Sequence, residues 1–189
     1  CFKINQMNHR EFMQVAIDEA KNGRGNVSPN PLVGCVLVKN KKIVAKGFHQ
    51  QFGAPHAEVN ACRQITNFEN VTLYVTLEPC AHVGKTPPCV DLILEKKIKK
   101  VVIGTLDPNS LVAGKSVEKL RTAGVEVLVG IKEKECKHLA RFFLQRMKKK
   151  RPYVLLKIAE SADGFITAEK GTQTQITGVE SQKKCHTLR

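Results

Sequence analysis

His56, Glu58, Cys80 and Cys89 carry the strongest chemistry in this chain. One imidazole and two thiolates match, in number and type, the ligands of a catalytic zinc that keeps its fourth position open for water. Glu58 stands two residues past the histidine, where a carboxylate can handle protons beside the metal without binding it. A histidine or cysteine met alone is more often structural, since free cysteine is among the most buried residue types. What separates these four from that background is their joint placement at the ends of predicted elements.

Pro55 precedes His56, and Ala57, Val59 and Ala61 continue a helix-compatible run, so His56 and Glu58 fall in a helix's first turn. The run Val71 to Leu77 predicts a buried strand, with Cys80 in the loop beyond its carboxyl end. Pro87-Pro88 leads into a second helix beginning at Cys89. Sites in open α/β sheets lie outside the carboxyl ends of strands, and helix N-termini favour thiolates and carboxylates.

The remaining pattern supplies a frame for that site. An amphipathic helix is expected from His9 to about Lys21, then a β-hairpin of residues 32–38 and 42–48 around Lys39-Asn40-Lys41. After the two metal helices come a strand at Lys100–Gly104, the turn-rich Asp107-Pro108-Asn109-Ser110, and a helix at Ser116–Thr122. A strand at Val125–Val129 and one long helix from Lys132 to Lys148 close the unit. The order αββαβαβαβα predicts a five-stranded mixed sheet between helices, a three-layer α/β/α domain over residues 7–147. The chain opens on Cys1 and Met7 is a more natural start, which marks residues 1–6 as extraneous. Residues 148–152 read as a basic linker. The pattern restarts at Tyr153 with an apolar strand running to Ala159, and residues 153–189 are short for an independent core.

Composition bounds the partners. The net charge of +14 suits nucleic acid, acidic membranes or a phosphorylated substrate. The lysine runs flank predicted elements, as solvated helix ends do. Two tyrosines and no tryptophan leave little for a base-stacking platform. Seven cysteines without disulfide-framework spacing point to a reducing cytoplasm. No apolar run approaches the roughly 20 residues of a membrane span, and no signal peptide is visible. A small-molecule substrate is expected, with neither nucleic acid nor membrane as partner.

A histidine, a glutamate two residues on and a later Pro-Cys-x-x-Cys form the general signature of zinc deaminases. Here eight residues separate the cysteines instead of two, so the match to that signature is partial. The wider blocks Ser28-Pro29-Asn30-Pro31-Leu32-Val33-Gly34, His56-Ala57-Glu58-Val59-Asn60-Ala61 and Leu77-Glu78-Pro79-Cys80 through Pro88-Cys89, with Asp107-Pro108-Asn109 and Ala113-Gly114-Lys115, resemble the bacterial bifunctional riboflavin-biosynthesis deaminase–reductases. The resemblance covers nearly the whole chain from Met7, and the eight-residue gap is that family's own spacing. It implies a cytidine-deaminase-like fold, zinc on His56, Cys80 and Cys89, and Glu58 as proton shuttle. The reaction implied is hydrolytic deamination of a diaminopyrimidinone ribosylamine 5-phosphate. Asn30, His49, His82, Lys85, Asp107 and Asn109 match substrate-pocket positions of the family. The competing reading of Asn30 is a turn residue between two prolines, and of Asp107 to Asn109 an ordinary turn.

The second half resembles the opening of the family's dihydrofolate-reductase-like α/β domain, through Lys157 to Gly164, Thr174 to Gly178, and His186 to Arg189. That implies NADPH contacts at Ala159 and Gln175, a substrate-phosphate contact at Arg189, and homo-oligomers for the full-length family. Two departures weaken it: Ala162 replaces the usual leucine and Gln175 the usual tryptophan. The expectation is that this polypeptide alone does not transfer hydride from NADPH. Two rivals remain. A nucleic-acid deaminase of the same fold predicts Cys-x-x-Cys and exposed aromatics. A non-catalytic zinc module that binds RNA predicts a fourth protein ligand, from Cys62 or His82.

Overall fold

In a computed structural model, the structure describes residues 7–81, 87–108, 113–171 and 174–188. It divides into two compact units, whose boundary falls between Tyr153 and Val154. In the first unit the elements run α1 (His9–Ala20), β1 (Gly34–Lys39), β2 (Lys42–Phe48), α2 (Ala57–Cys62), β3 (Val71–Leu77) and α3 (Cys89–Glu95). They continue with β4 (Lys100–Thr105), α4 (Lys115–Thr122), β5 (Glu126–Val129), α5 (Glu133–Leu139) and α6 (Arg141–Lys149). The strands form one sheet in the order β2-β1-β3-β4-β5. β1 pairs antiparallel with β2 and β3, while β3, β4 and β5 run parallel. This is the five-stranded mixed sheet expected from the sequence.

Alternation along the strands sorts the core into two layers. Cys35, Leu37, Leu73, Val75, Val101, Ile103 and Val127 face one way, onto Ala57 and Ala61 of α2, Val90 and Ile93 of α3, and Val117 and Leu120 of α4. Val36, Val38, Tyr74 and Val102 face the other way, onto Phe12, Met13, Ala16, Ile17 and Ala20 of α1 and Cys136 and Leu139 of α5. α1 starts at a capping box: the Asn8 side chain accepts from the Arg10 and Glu11 amides, and Glu11 accepts the Asn8 amide. The β1–β2 turn puts Asn40 and Lys41 at φ 50° and 60°, the left-handed pair that suits a two-residue hairpin.

Two glycines set how closely helices approach the sheet. A Cβ on Gly34 would run into the Ala16 carbonyl of α1, and one on Gly47 into the backbone of α2 at Ala57, Asn60 and Ala61. The second contact matters for function, because α2 carries His56 at its N-cap and Glu58 in its first turn.

Two expectations are corrected. The long helix over 132–148 is two helices broken at Ala140, whose φ −90° and ψ 11° end α5. The cause lies in packing: Cys136 and Leu139 are buried against the sheet and Ala140 is buried beside them in sequence, whereas α6 buries no residue. The strand over Tyr153–Ala159 is also absent; Val154 and Leu156 are 81% and 78% exposed. Extended backbone becomes a strand only against a partner, and none of the described residues pairs with it. Tyr153 instead packs edge-on against Phe142 with ring centroids 4.9 Å apart. In the second unit, a turn closes where Ser161 and Phe165 bond both backbone and side chain, and α7 (Val179–Leu188) follows. Among the described residues no helix is long and apolar enough to cross a membrane.

Candidate active site

Three elements deliver the side chains of a candidate metal site. β3 ends at Leu77, and Cys80 lies just beyond its carboxyl end. α2 begins at His56 and α3 at Cys89. The Cys80 carbonyl accepts the Val90 amide at 3.2 Å, and the Cys89 amide donates to Cys80 Sγ at 3.3 Å, so the start of α3 is tied to the Cys80 loop. His56 makes no side-chain cap to its own helix. Its Nδ1 instead lies 3.2 Å from Cys89 Sγ and 3.5 Å from Cys80 Sγ. The three ligand atoms lie within 4.8 Å of one another.

That donor set fits zinc. Tetrahedral bonds of about 2.0–2.1 Å to nitrogen and 2.3 Å to sulfur put ligand atoms roughly 3.6–3.8 Å apart. The two measured N···S separations are close to this. Among the described residues the cluster has three members, and Cys62, buried on the sheet, is not one of them. A zinc held by these three protein ligands alone would keep its fourth position for a reactant.

The three ligand groups are electrostatically coupled. Hydrogen bonding from Cys89 draws the Cys80 thiol well below its ordinary 9.0, and the same contact pushes Cys89 up, so Cys80 holds the negative charge of the pair. The bond to Cys80 also raises His56. Glu58 is 3% exposed, and burial lifts its carboxyl above the ordinary 4.5 against the opposing pull of His56. Glu58 lines the same cavity as His56 and Cys80, which places it beside the cluster.

A cavity of about 400 Å³ opens over this group, lined by Asn30, His49, His56, Glu58, Cys80 and Asp107 among others. His49 Nδ1 stands 3.2 Å from the Pro55 carbonyl, so it is the protonated nitrogen. His49 Nε2 then accepts from Asn30 Nδ2 at 3.0 Å, which leaves Asn30 Oδ1 as the amide's acceptor. Burial keeps the ring neutral by lowering His49 below 6.5, consistent with this tautomer. Asn60 Nδ2 reaches the Phe48 carbonyl at 2.9 Å and the Pro55 carbonyl at 3.3 Å, fixing the loop that carries His49 to α2.

Of the residues the sequence singled out, His56, Glu58, Cys80, Asn30, His49 and Asp107 line one cavity, and Cys89 completes the ligand cluster behind it. His82, Lys85, Asn109 and Arg189 lie outside the described residues. Ala159 and Gln175 belong to the second unit, where the first is half-buried and the second exposed. Sequence reasoning missed Phe52, Glu78, Phe143, Arg146 and Met147 in the cavity lining. The last three stand at i, i+3 and i+4 on α6, a spacing that marks one helix face. Without the break at Ala140 that face had no assigned destination.

Residues 6–105 match the family described as the cytidine and deoxycytidylate deaminase zinc-binding region. The chain is 48% identical over 181 residues to the riboflavin biosynthesis protein RibD of Aquifex aeolicus, covering 95% of this chain and 51% of the relative. Against RibD of Actinobacillus pleuropneumoniae it is 48% identical over 197 residues, covering 100% of this chain and 52% of the relative. A crystal structure from Thermotoga maritima, of a diaminohydroxyphosphoribosylaminopyrimidine deaminase/5-amino-6-(5-phosphoribosylamino)uracil reductase, superposes with a TM-score of 0.89 at 49% identity. That match covers 95% of this chain and 52% of the other. The chain thus spans about half the length of the relatives it matches.

Proposed function

Because the chain belongs to the cytidine and deoxycytidylate deaminase zinc-binding family, we propose that it deaminates a phosphorylated pyrimidine in riboflavin biosynthesis. The substrate is 2,5-diamino-6-(5-phosphoribosylamino)pyrimidin-4(3H)-one, and the products are the corresponding uracil and ammonia. The observation that carries this reading is the three-ligand cluster of His56, Cys80 and Cys89 with Glu58 buried beside it under a cavity.

His56, Cys80 and Cys89 would hold zinc, which would supply a Lewis acid able to make an attacking water acidic near neutral pH. Glu58 accepts a proton from that water as its oxygen adds to the ring carbon bearing the amino group. The same carboxyl returns the proton to the adjacent ring nitrogen, then takes the second proton from the added hydroxyl and passes it to the amine as the C–N bond breaks and ammonia leaves. A carboxyl raised by burial is suited to both halves of this exchange. Asn30, held by His49, offers its oxygen to a donor on the ring edge, and the cavity's size suits a small ligand more than a polymer. His82, Lys85, Asp107 and Asn109 are proposed to complete the substrate pocket, Lys85 through the phosphate. The six described cysteines are free thiols, which fits the expected cytoplasmic setting.

The test is ammonia release from this pyrimidine phosphate together with zinc analysis of wild type and Glu58→Gln. The variant is expected to keep one zinc per chain and lose about 10²–10⁴-fold in turnover. Normal turnover by the variant would remove Glu58 from the mechanism.

A further inference from the structure

Glu78 sits between the last residue of β3 and the Pro79-Cys80 turn, and only 4% of it is exposed. Among the described residues no cationic side chain pairs with it. Its carboxylate is met instead by peptide amides from one distant stretch of chain. Oε2 accepts from the Asp107 and Gly114 amides, each at 3.1 Å, and Oε1 accepts from the Ser116 amide at 3.2 Å. Its own amide donates to the Thr105 carbonyl at the end of β4. Ser116 also returns a bond, from Oγ to the Pro79 carbonyl at 2.5 Å.

A carboxylate taken out of water needs strong compensation, and charge-assisted bonds from three backbone amides provide it. The geometry closes a ring: the metal-ligand turn on one side, and on the other the chain from Asp107, which lines the cavity, to the start of α4. Among the described residues of this stretch, the amides of Asp107, Gly114 and Ser116 all find their acceptor in the Glu78 carboxylate.

We propose that Glu78 is a positioning residue for the substrate pocket, fixing the wall that carries Asp107 at a set distance from the metal-ligand turn. It does not touch the reacting atoms and is not a metal ligand. Its effect is therefore on how well substrate is held. The kinetic arm of the test rests on the deaminase reading above; the structural arm does not.

Glu78→Gln is nearly isosteric but offers one carbonyl oxygen. Either the two donors on Oε2 or the one on Oε1 must then face an NH₂ group. Amide hydrogen exchange is the structural readout. In the wild-type chain the Asp107 and Gly114 amides should be protected despite lying in a loop. In Glu78→Gln their exchange should accelerate by about tenfold or more, while Val75 and Ile103 in the sheet stay unchanged. In the deamination assay KM should rise by about ten- to a hundredfold, with zinc content retained and kcat nearly unchanged.

Wild-type amides at 107 and 114 that exchange as fast as an open loop would overturn the proposal, even if the variant fails to fold. So would a variant with wild-type exchange and wild-type KM. Loss of zinc and kcat at unchanged KM would assign Glu78 to the metal turn alone, and also overturn it. If wild type releases no ammonia from this pyrimidine, the substrate reading fails, and the exchange arm still decides the role of Glu78.

Discussion

Gly47→Ala tests whether the approach of α2 to the sheet sets the metal site. A Cβ at this position meets the Ala61 nitrogen, the Ala57 oxygen at 2.5 Å and the Asn60 carbonyl carbon at 2.9 Å. All three are backbone atoms, so no rotamer change relieves the contact. Ordinary contact begins at 3.4 Å, so α2 must retreat by about 0.9 Å along the Ala57 contact, 3.4 minus 2.5 Å. Overpacking of this kind costs about 1–3 kcal/mol. At about 2–4 °C per kcal/mol for a chain of this size, Tm should fall by roughly 2–12 °C. The sharper consequence is at the site. His56 caps α2 and moves with it, while Cys80 and Cys89 stay with β3 and α3. Metal–ligand distances tolerate about 0.2 Å, and a misplacement near 1 Å costs on the order of 10²-fold in rate. Chelator competition should show at least about tenfold weaker zinc binding, and ammonia release should fall by about a hundredfold. Gly34→Ala is the control, because its Cβ clashes with Ala16 and Ala20 of α1, a helix that carries no ligand. It should lose comparable stability and keep its zinc affinity. If Gly47→Ala binds zinc as wild type does, or Gly34→Ala weakens it equally, helix placement does not control the site.

Removing zinc with a chelator should lower Tm by roughly 5–10 °C, since free metal at about 100 times Kd adds about 2.7 kcal/mol. Restoring zinc should reverse the shift, and a melt indifferent to chelator would refute a metal site in the folded chain. Burial pushes the Tyr74 hydroxyl up from 10.0 to about 12, and His9 Nδ1 lies 2.8 Å from it. With the folded value raised, this stabilisation is complete below pH 10 and lost as pH rises through about 12. An ultraviolet titration should show one tyrosine ionising near pH 12, a step that Tyr74→Phe abolishes. Tyr74 ionising near its ordinary 10.0 would contradict it.

The first unit was legible because its signals are local and mutually consistent. Alternation in Cys35 to Val38 and Leu73 to Val75 names both faces of the sheet, and the short Asn40-Lys41 turn leaves β1 and β2 no choice but to pair. The break at Ala140 was not legible, because no proline or glycine marks it. It arises from α5 packing onto the sheet while α6 does not. The failed strand at 153–159 shows the opposite limit. An apolar run reports that a segment needs a partner; it does not provide one.

The grouping of His56, Cys80 and Cys89 was legible in the sequence, but the means of holding them together was not. The eight residues between Cys80 and Cys89 reveal neither that His56 meets the sulfurs through Nδ1 nor that the Cys89 amide bonds back to Cys80. Glu78 stood in plain view beside Pro79-Cys80, yet a glutamate in a loop ordinarily reads as solvated surface. Its acceptors serve amides 29 to 38 residues away, a separation no local pattern encodes. The asymmetry has a physical origin. Metal ligands are restricted to a few side chains whose identity survives in the sequence. A peptide N–H is the same at every position except proline, so a carboxylate that binds backbone leaves no signature on its partners. Residues that position a site through backbone amides therefore come from coordinates, and Glu78 is this fold's instance.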